Sequence, residues 1–262
     1  MSPRLTVARL PAKAGLGWLA EGFAWMRAAP MQWLGLSSSA LLALLLLNLF
    51  PMVGGIFSML LTPFWVAGFM AASRDASQGR WVTVQHLAIG FKTALQPLLV
   101  IAIVYLAGSL LIGQWLLGHV AESLHPILSA MHSGQDMHGA MRPEDAAQMA
   151  AHAEAALPSL LTALLLMLPL LMATWFAPAL VLFNGFTPWR ALWWSLWAVA
   201  VNPVASLLYG LVLAGIWGLA LILPLGLGLL LAFPWAMAST YAAYRTIFHE
   251  PAPAANDFPS GA

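Results

Sequence analysis

The stretch Trp33-Leu-Gly-Leu-Ser-Ser-Ser-Ala-Leu-Leu-Ala-Leu-Leu-Leu-Leu-Asn-Leu-Phe50, followed by Pro51-Met-Val-Gly-Gly55 and then by apolar sequence from Ile56 to Ala72, decides the class of fold. Eighteen residues of helix reach about 27 Å at 1.5 Å per residue, close to the ~30 Å hydrocarbon core of a bilayer. Read as one helix, residues 33–72 would be far too long for a membrane. Pro51 and the pair Gly54–Gly55 break the run, so it reads as two spans joined by a tight turn.

The rest of the chain agrees. Of its 262 residues, 61% are hydrophobic and 7% charged, where a soluble domain carries about 25% charged residues. There is no cysteine, which excludes disulfides, thiolate catalysis, iron–sulfur clusters and cysteine-based zinc sites. The first long apolar run begins only near Trp33 and is followed directly by a second, so the N-terminus is expected to be retained rather than cleaved as a signal peptide.

Further runs fall at residues 97–117, 160–183, 204–223 and 227–244, the last two separated by Pro224, Gly226 and Gly228. Six spans result, two of them within 33–72 and two within 204–244. Lys and Arg accumulate on the cytoplasmic side of inner-membrane proteins. Nine of the ten, Arg4, Arg9, Lys13, Arg27, Arg74, Arg80, Lys92, Arg190 and Arg245, fall on one side of this map, and only Arg142 on the other. Both termini, residues 1–29 and 245–262, are therefore expected in the cytoplasm of a bacterial inner-membrane protein. Residues 118–158 then form a periplasmic insert.

Three stretches between spans have helical length and carry tryptophans: Gly15–Ala28 within 1–29, Trp81–Ala94 within 73–96, and Thr187–Ala200 within 184–203. In the first, Trp18, Leu19, Gly22, Trp25 and Met26 share a face. In the third, Thr187 suits the N-cap and Pro188 the first helical position, and Arg190 rides above Trp189, Trp193, Trp194 and Trp197. All eight tryptophans on the cytoplasmic side of the map fall in or beside these stretches. They read as interfacial amphipathic helices, apolar face down and cationic tips reaching the headgroups.

The second and sixth spans repeat one another. In both Pro63–Arg74 and Pro234–Arg245 the proline and arginine are eleven apart, and Ala67, Gly68, Ala71 and Ala72 align with Ala238, Ser239, Ala242 and Ala243. Such small-xxx-small pairs let helix backbones approach closely. With Trp175-Phe-Ala-Pro178 in the fourth span, the chain reads as three helix–hairpin units starting at Pro30, Pro97 and Pro203. The expected fold is an all-α integral membrane domain of three hairpins, each preceded by an interfacial helix, with a helical insert in the middle unit.

Trp175-Phe-Ala-Pro-Ala-Leu-Val181, with Gly185, Pro188, Ala191, Leu192 and Ser195, resembles the pattern of a family of uncharacterised proteobacterial six-helix inner-membrane proteins. The opening Arg9-Leu-Pro-Ala-Lys-Ala-Gly15, with Trp18, Gly22 and Phe23, is similar to that family's N-terminus. More distantly, the hairpin-plus-interfacial-helix plan resembles membrane domains found beside some glycerophosphodiester phosphodiesterases. No phosphodiesterase domain is expected here, because the sequence closes soon after the sixth span. The resemblance implies an architecture and no reaction.

Chemistry has few places to reside. The six spans hold no ionisable residue of the kind that marks proton relays and coupled transport. Asn48, Gln114, Thr162, Thr174, Ser206 and Thr240 are polar there and suit helix–helix hydrogen bonds. The insert holds five of the seven histidines along with several methionines; imidazole with thioether suits copper, and with carboxylate zinc or nickel. His132 and His138 bracket a flexible Gly134–Asp136 turn and are the candidate metal ligands, although no helical ligand spacing is present. His86 and His249 show no evident partner in sequence. No phosphate loop, HExxH or GxSxG occurs, so no catalytic residue and no cofactor is expected. The dispersed basic residues do not form a nucleic-acid footprint.

The role expected from these residues is non-enzymatic: an accessory, scaffold or envelope-organising protein whose partners are the bilayer and other membrane proteins or itself. Arg27, Arg74, Arg80, Lys92, Arg190 and Arg245 are the cations expected at anionic headgroups, each worth about 1 kcal/mol there. The rival is a transporter or channel for a small neutral or lipid-like solute, with Thr62, Thr174 and Thr240 lining a cavity among the second, fourth and sixth spans. Periplasmic metal capture by the insert is the third reading.

Overall fold

The structure, a computed structural model, describes residues 6–50, 53–132, 143–222 and 227–248. Among them every regular element is helical: α1 (Ala14–Ala28), α2 (Pro30–Asn48), α3 (Val53–Ser77), a 3-10 turn (Val84–Ala88) leading into α4 (Ile89–Thr93), α5 (Leu95–His132), α6 (Pro143–Trp175), α7 (Ala177–Asn184), α8 (Pro188–Ala200), α9 (Pro203–Ile222) and α10 (Leu227–Ile247). Five described segments are long and apolar enough to cross a membrane: Pro30–Asn48, Val53–Ser77, Leu95–Ala121, Glu154–Asn184 and Pro203–Ile222. The sixth expected span, α10, is not among them. Its Ser239, Thr240, Tyr241 and Tyr244 are buried against protein, which lets it carry more polar atoms than a lipid-facing helix could.

The chain divides into two compact units, Met1–Ile103 with Met172–Ala262, and Val104–Leu171. In the second, the expected boundary between spans and insert differs from the helices seen. Helix α5 runs unbroken for 38 residues and α6 for 33, about 57 and 50 Å at 1.5 Å per residue, so the helical parts of the insert continue the third and fourth spans. Within this unit a Cβ on Gly108 would lie 2.8 Å from Leu170, a close helix approach made possible by the small residue. Trp115 stacks on His119, with ring centroids 4.3 Å apart.

The larger unit is organised by its returning helices. Helix α1 packs on α10, the 3-10 turn and α4 pack on α3, and α8 packs on α7. Helix α3 also meets α7 and α10, while Phe183 of α7 lies against Tyr241 and Tyr244 of α10. Each segment that follows a returning helix folds back onto it, and α1 covers the last one.

Helix α1 packs along α10. The Trp18 indole donates to Thr246 Oγ1 at 2.8 Å, and the Leu19 carbonyl accepts from Trp235 Nε1 at 2.8 Å. With Phe23 against Trp235, the partners on α10 fall as α1 rises, so the two helices run antiparallel. Their closest approach is at Gly22, whose added Cβ would sit 2.6 Å from Ser239 Cα. Ser239 is the small residue matched to Gly68 in the sequence repeat. At Gly68 the close backbone approach comes instead from the 3-10 turn, at His86 and Leu87. Both small positions therefore receive an interfacial segment, where the sequence pattern alone suggested contacts between spans.

Two of the three interfacial stretches differ from expectation. The apolar face of α1, with Gly15, Trp18, Leu19, Gly22 and Met26, is buried in protein against α9 and α10 and is not laid into lipid. Trp81–Ala94 is no single helix but a 3-10 turn plus one turn of α-helix. Helix α8 covers the third stretch as one helix, with Ala191, Leu192, Ser195, Ala198 and Val199 buried and Trp189, Trp193 and Trp197 exposed. Thr187 occupies its N-cap with extended backbone, Pro188 begins the helix, and the Thr187 side chain makes no capping hydrogen bond.

Candidate functional site

The polar groups of the larger unit form separate knots, each with a structural consequence. The first joins α3 to the turn after it. His86 Nε2 lies 3.1 Å from Asp75 Oδ2. His86 Nδ1 lies 3.2 Å from the Thr83 backbone N and 2.9 Å from the Thr83 carbonyl O, so the Thr83 backbone can serve that nitrogen as donor or as acceptor. Asp75 also holds Arg80, at 3.1 Å from Nε and 2.5 Å from Nη2. His86 thus has partners that its sequence neighbourhood did not reveal. With Thr83 Oγ1 3.2 Å from Nδ1, the set has the outline of an acid–base triad. Yet Nδ1 is held by the backbone of Thr83 at the cap of the turn, which makes the knot a clamp.

The second knot ties the chain ends together. Asn202 Oδ1 accepts the Leu10 N–H at 2.8 Å, and its Nδ2 donates to the carbonyls of Ala8 and Ala198 at 2.9 Å each. The Ala8 N–H donates to Ile247 O at 2.8 Å. One amide side chain thereby holds the N-terminal strip, through Ala8 and Leu10, at the head of α9. Nearby, Glu21 of α1 pairs with Arg245 of α10, whose guanidinium also sits 5.3 Å above the Trp25 ring.

The third knot repairs a broken helix. The fourth span stops being helical at Phe176, between α6 and α7. In an unbroken helix the Phe176 N–H would bond to Met172 O. Here Ser195 of α8 inserts: its hydroxyl accepts from Phe176 N at 2.9 Å and donates to Met172 O at 2.6 Å. A side chain entering the i→i−4 ladder is a recognised cause of a kink, and Pro178 removes the next donor but one. Ser195 belongs to the family pattern noted in the sequence, and this is its physical task.

A fourth knot lies between α9 and α10. Tyr209 OH meets Ser239 Oγ at 2.9 Å, Thr240 Oγ1 at 3.0 Å and Ala236 O at 3.2 Å. Thr240 is buried there, whereas Thr62 is exposed and bonds to its own helix at Ser58 O. The two do not converge on a common cavity.

The expected headgroup cations divide. Arg27 and Lys92 are exposed. Arg190 is exposed and sits 4.0 Å over the Phe186 ring, and Arg74 lies 4.8 Å over that of Phe183. Arg80 is 58% exposed although paired with Asp75. Arg245 departs from the sequence reading: its side chain is only 16% exposed and is turned onto Glu21. A cation held in that way is committed to the α1–α10 contact. Of the candidate metal ligands, His132 closes α5, and His138 lies outside the described residues, as does His249. Among the described residues no three His, Asp or Glu side chains gather as a metal site would require. Glu21, Asp75, Asn202 and Tyr209 were missed in sequence. Only Asn202-Pro203 carried a local signal, as a helix-start dipeptide.

Apolar helices of spanning length, ringed by exposed leucines, valines and tryptophans, with polar atoms turned inward onto one another, are those of a polytopic α-helical membrane protein. Over 249 residues the chain is 30% identical to a probable inner membrane protein of Burkholderia thailandensis, the match covering 88% of this chain and 82% of that relative. The chain belongs to the family of that inner-membrane protein. No family model matches it, and no solved structure does.

Proposed function

We propose that this protein is a non-enzymatic accessory or scaffold of the inner membrane, with six spans in three helix–hairpin units, both termini cytoplasmic and residues 118–158 periplasmic. The observation that carries this reading is the use made of the buried polar atoms. Tyr209, Ser239 and Thr240 satisfy one another, Ser195 closes the gap in the fourth span, and Asn202 secures the N-terminal strip. Polar groups spent on internal bonds hold a shape and line no path. The fold-back of each interfacial segment onto a returning helix, closed by α1 on α10, supports the three-unit reading, and exposed leucines and tryptophans offer apolar surface to other membrane proteins.

The test is purification of the full chain from native membranes in mild detergent, with bound proteins identified and counted by mass spectrometry. A stoichiometric partner is the expected result. A second reading, passage of a small neutral or lipid-like solute, is favoured by one feature: the discontinuity at Phe176, since broken helices line the substrate sites of many transporters. A partner-free oligomer that conducts solute in liposomes would replace the first reading with the second. Orientation is tested separately. The chain has no cysteine, so Ser133→Cys should react with an impermeant maleimide added outside spheroplasts, and Gln78→Cys should react only after lysis.

A further inference from the structure

Between α1, α2 and α10 lies an apolar cleft of about 240 Å³, lined by Phe23, Met26, Pro30, Trp33, Leu230 and Pro234, among others, with Arg27 at its edge. We infer that this cleft holds one acyl chain of an anionic phospholipid, with the phosphate on Arg27. The inference rests on the reading that α1 lies at an anionic membrane surface. A volume below the roughly 300–1,000 Å³ of sites for drug-sized ligands suits a hydrocarbon chain entering from the side.

The elbow between α1 and α2 creates the cleft. Ala29 leaves helical geometry at φ −142° and ψ 60°, and Pro30 starts α2, so the two helices splay where α10 passes. The one indole that could supply a polar atom is already used, because Trp33 Nε1 donates to Trp25 O at 3.3 Å. What remains in the walls is hydrocarbon, which favours a chain and offers a sugar or amino acid nothing. Arg27 differs from Arg80 and Arg245 in having no carboxylate partner among the described residues. An exposed guanidinium with open donors beside an apolar slot matches a phosphate with a chain attached, since guanidinium binds phosphate oxygens in pairs. Charge complementarity therefore selects an anionic lipid over a neutral one and over an apolar partner helix.

Photo-crosslinking tests this. The full chain is placed in nanodiscs with either phosphatidylglycerol or phosphatidylcholine carrying a mid-chain diazirine, and labelled peptides are quantified. Phosphatidylglycerol should label the peptides around Phe23–Leu34 and Leu230–Pro234 about five-fold more than phosphatidylcholine, the ratio expected for one cation near an anionic surface. Arg27→Gln should bring the two lipids level. Leu231→Trp, which fills the slot and keeps the charge, should remove labelling by both, and Leu231→Phe serves if the tryptophan variant does not fold. Arg190→Gln should alter labelling near α8 only. Equal wild-type labelling by the two lipids, labelling that survives a filled slot, or no labelling of these peptides above the rest of the chain would each overturn the inference. No anionic preference near α8 in the wild type, with the cleft result intact, would instead strike the reading of α8 as headgroup-facing.

Discussion

Replacing Gly22 with alanine adds one methyl group at the closest approach of α1 and α10. That Cβ would meet Ser239 Cα at 2.6 Å and Ala238 C at 2.9 Å. Ordinary carbon contacts begin near 3.4 Å, so the helices must part by about 0.8 Å. The obstructing atoms are backbone, which no rotamer change can move aside. Overpacking of this kind costs about 1–3 kcal/mol. Parting the helices also strains the bonds from Trp18 to Thr246 and from Trp235 to Leu19, each worth about 1 kcal/mol, for a total of about 3–5 kcal/mol. Gly17 is the internal control. It lies on the same helix, a Cβ there meets nothing within 4 Å, and alanine in a helix interior is favoured over glycine by about 0.5–1 kcal/mol. Tryptophan-fluorescence melting of the detergent-solubilised chain should therefore place Gly22→Ala about 5–10 °C or more below wild type, at the few degrees per kcal/mol of a chain this size, and Gly17→Ala at or above it. If Gly22→Ala melts no lower than Gly17→Ala, α1 does not pack against α10 as described.

Ser195→Ala leaves the Phe176 N–H and the Met172 C=O facing each other with nothing between them, so melting should fall by the equivalent of about 1–3 kcal/mol; an unchanged melting temperature would mean that the fourth span is not interrupted there. Ser37 Oγ is buried with no hydrogen-bond partner among the described residues. Ser37→Ala should therefore be neutral or raise melting, by up to about 1 kcal/mol, and a clear loss would reveal a partner. Asn202→Ala removes three hydrogen bonds at once and should speed limited tryptic cleavage after Arg9 relative to wild type; an equal rate would show that Asn202 does not hold the N-terminal strip. Asp75→Asn should loosen the turn after α3, read as faster hydrogen exchange across residues 80–90; equal exchange would show that the His86–Asp75 bond holds nothing in place.

Composition and span length determine the solvent of this protein without help from its tertiary structure. A bilayer imposes a fixed thickness and rejects charge, so runs such as 33–50 and 204–223 can be read residue by residue, and the placement of lysine and arginine sets an expected orientation. Proline starts and small-residue pairs are legible for the same reason: their effects act within a few residues. What α1 does with its apolar face was not legible, because lipid and a neighbouring helix look alike to a hydropathy count, and only packing shows that α10 covers it. The use of Arg245 was hidden likewise. Its partner Glu21 is 224 residues away, and a cation near a helix end suits a headgroup until the fold supplies a carboxylate. Ser195 stood out in the sequence pattern, yet its task depends on a gap at Phe176 that exists only once α8 folds back on the fourth span. Local chemistry thus sets where each helix can sit, and long-range packing decides which polar atoms remain for anything outside the protein.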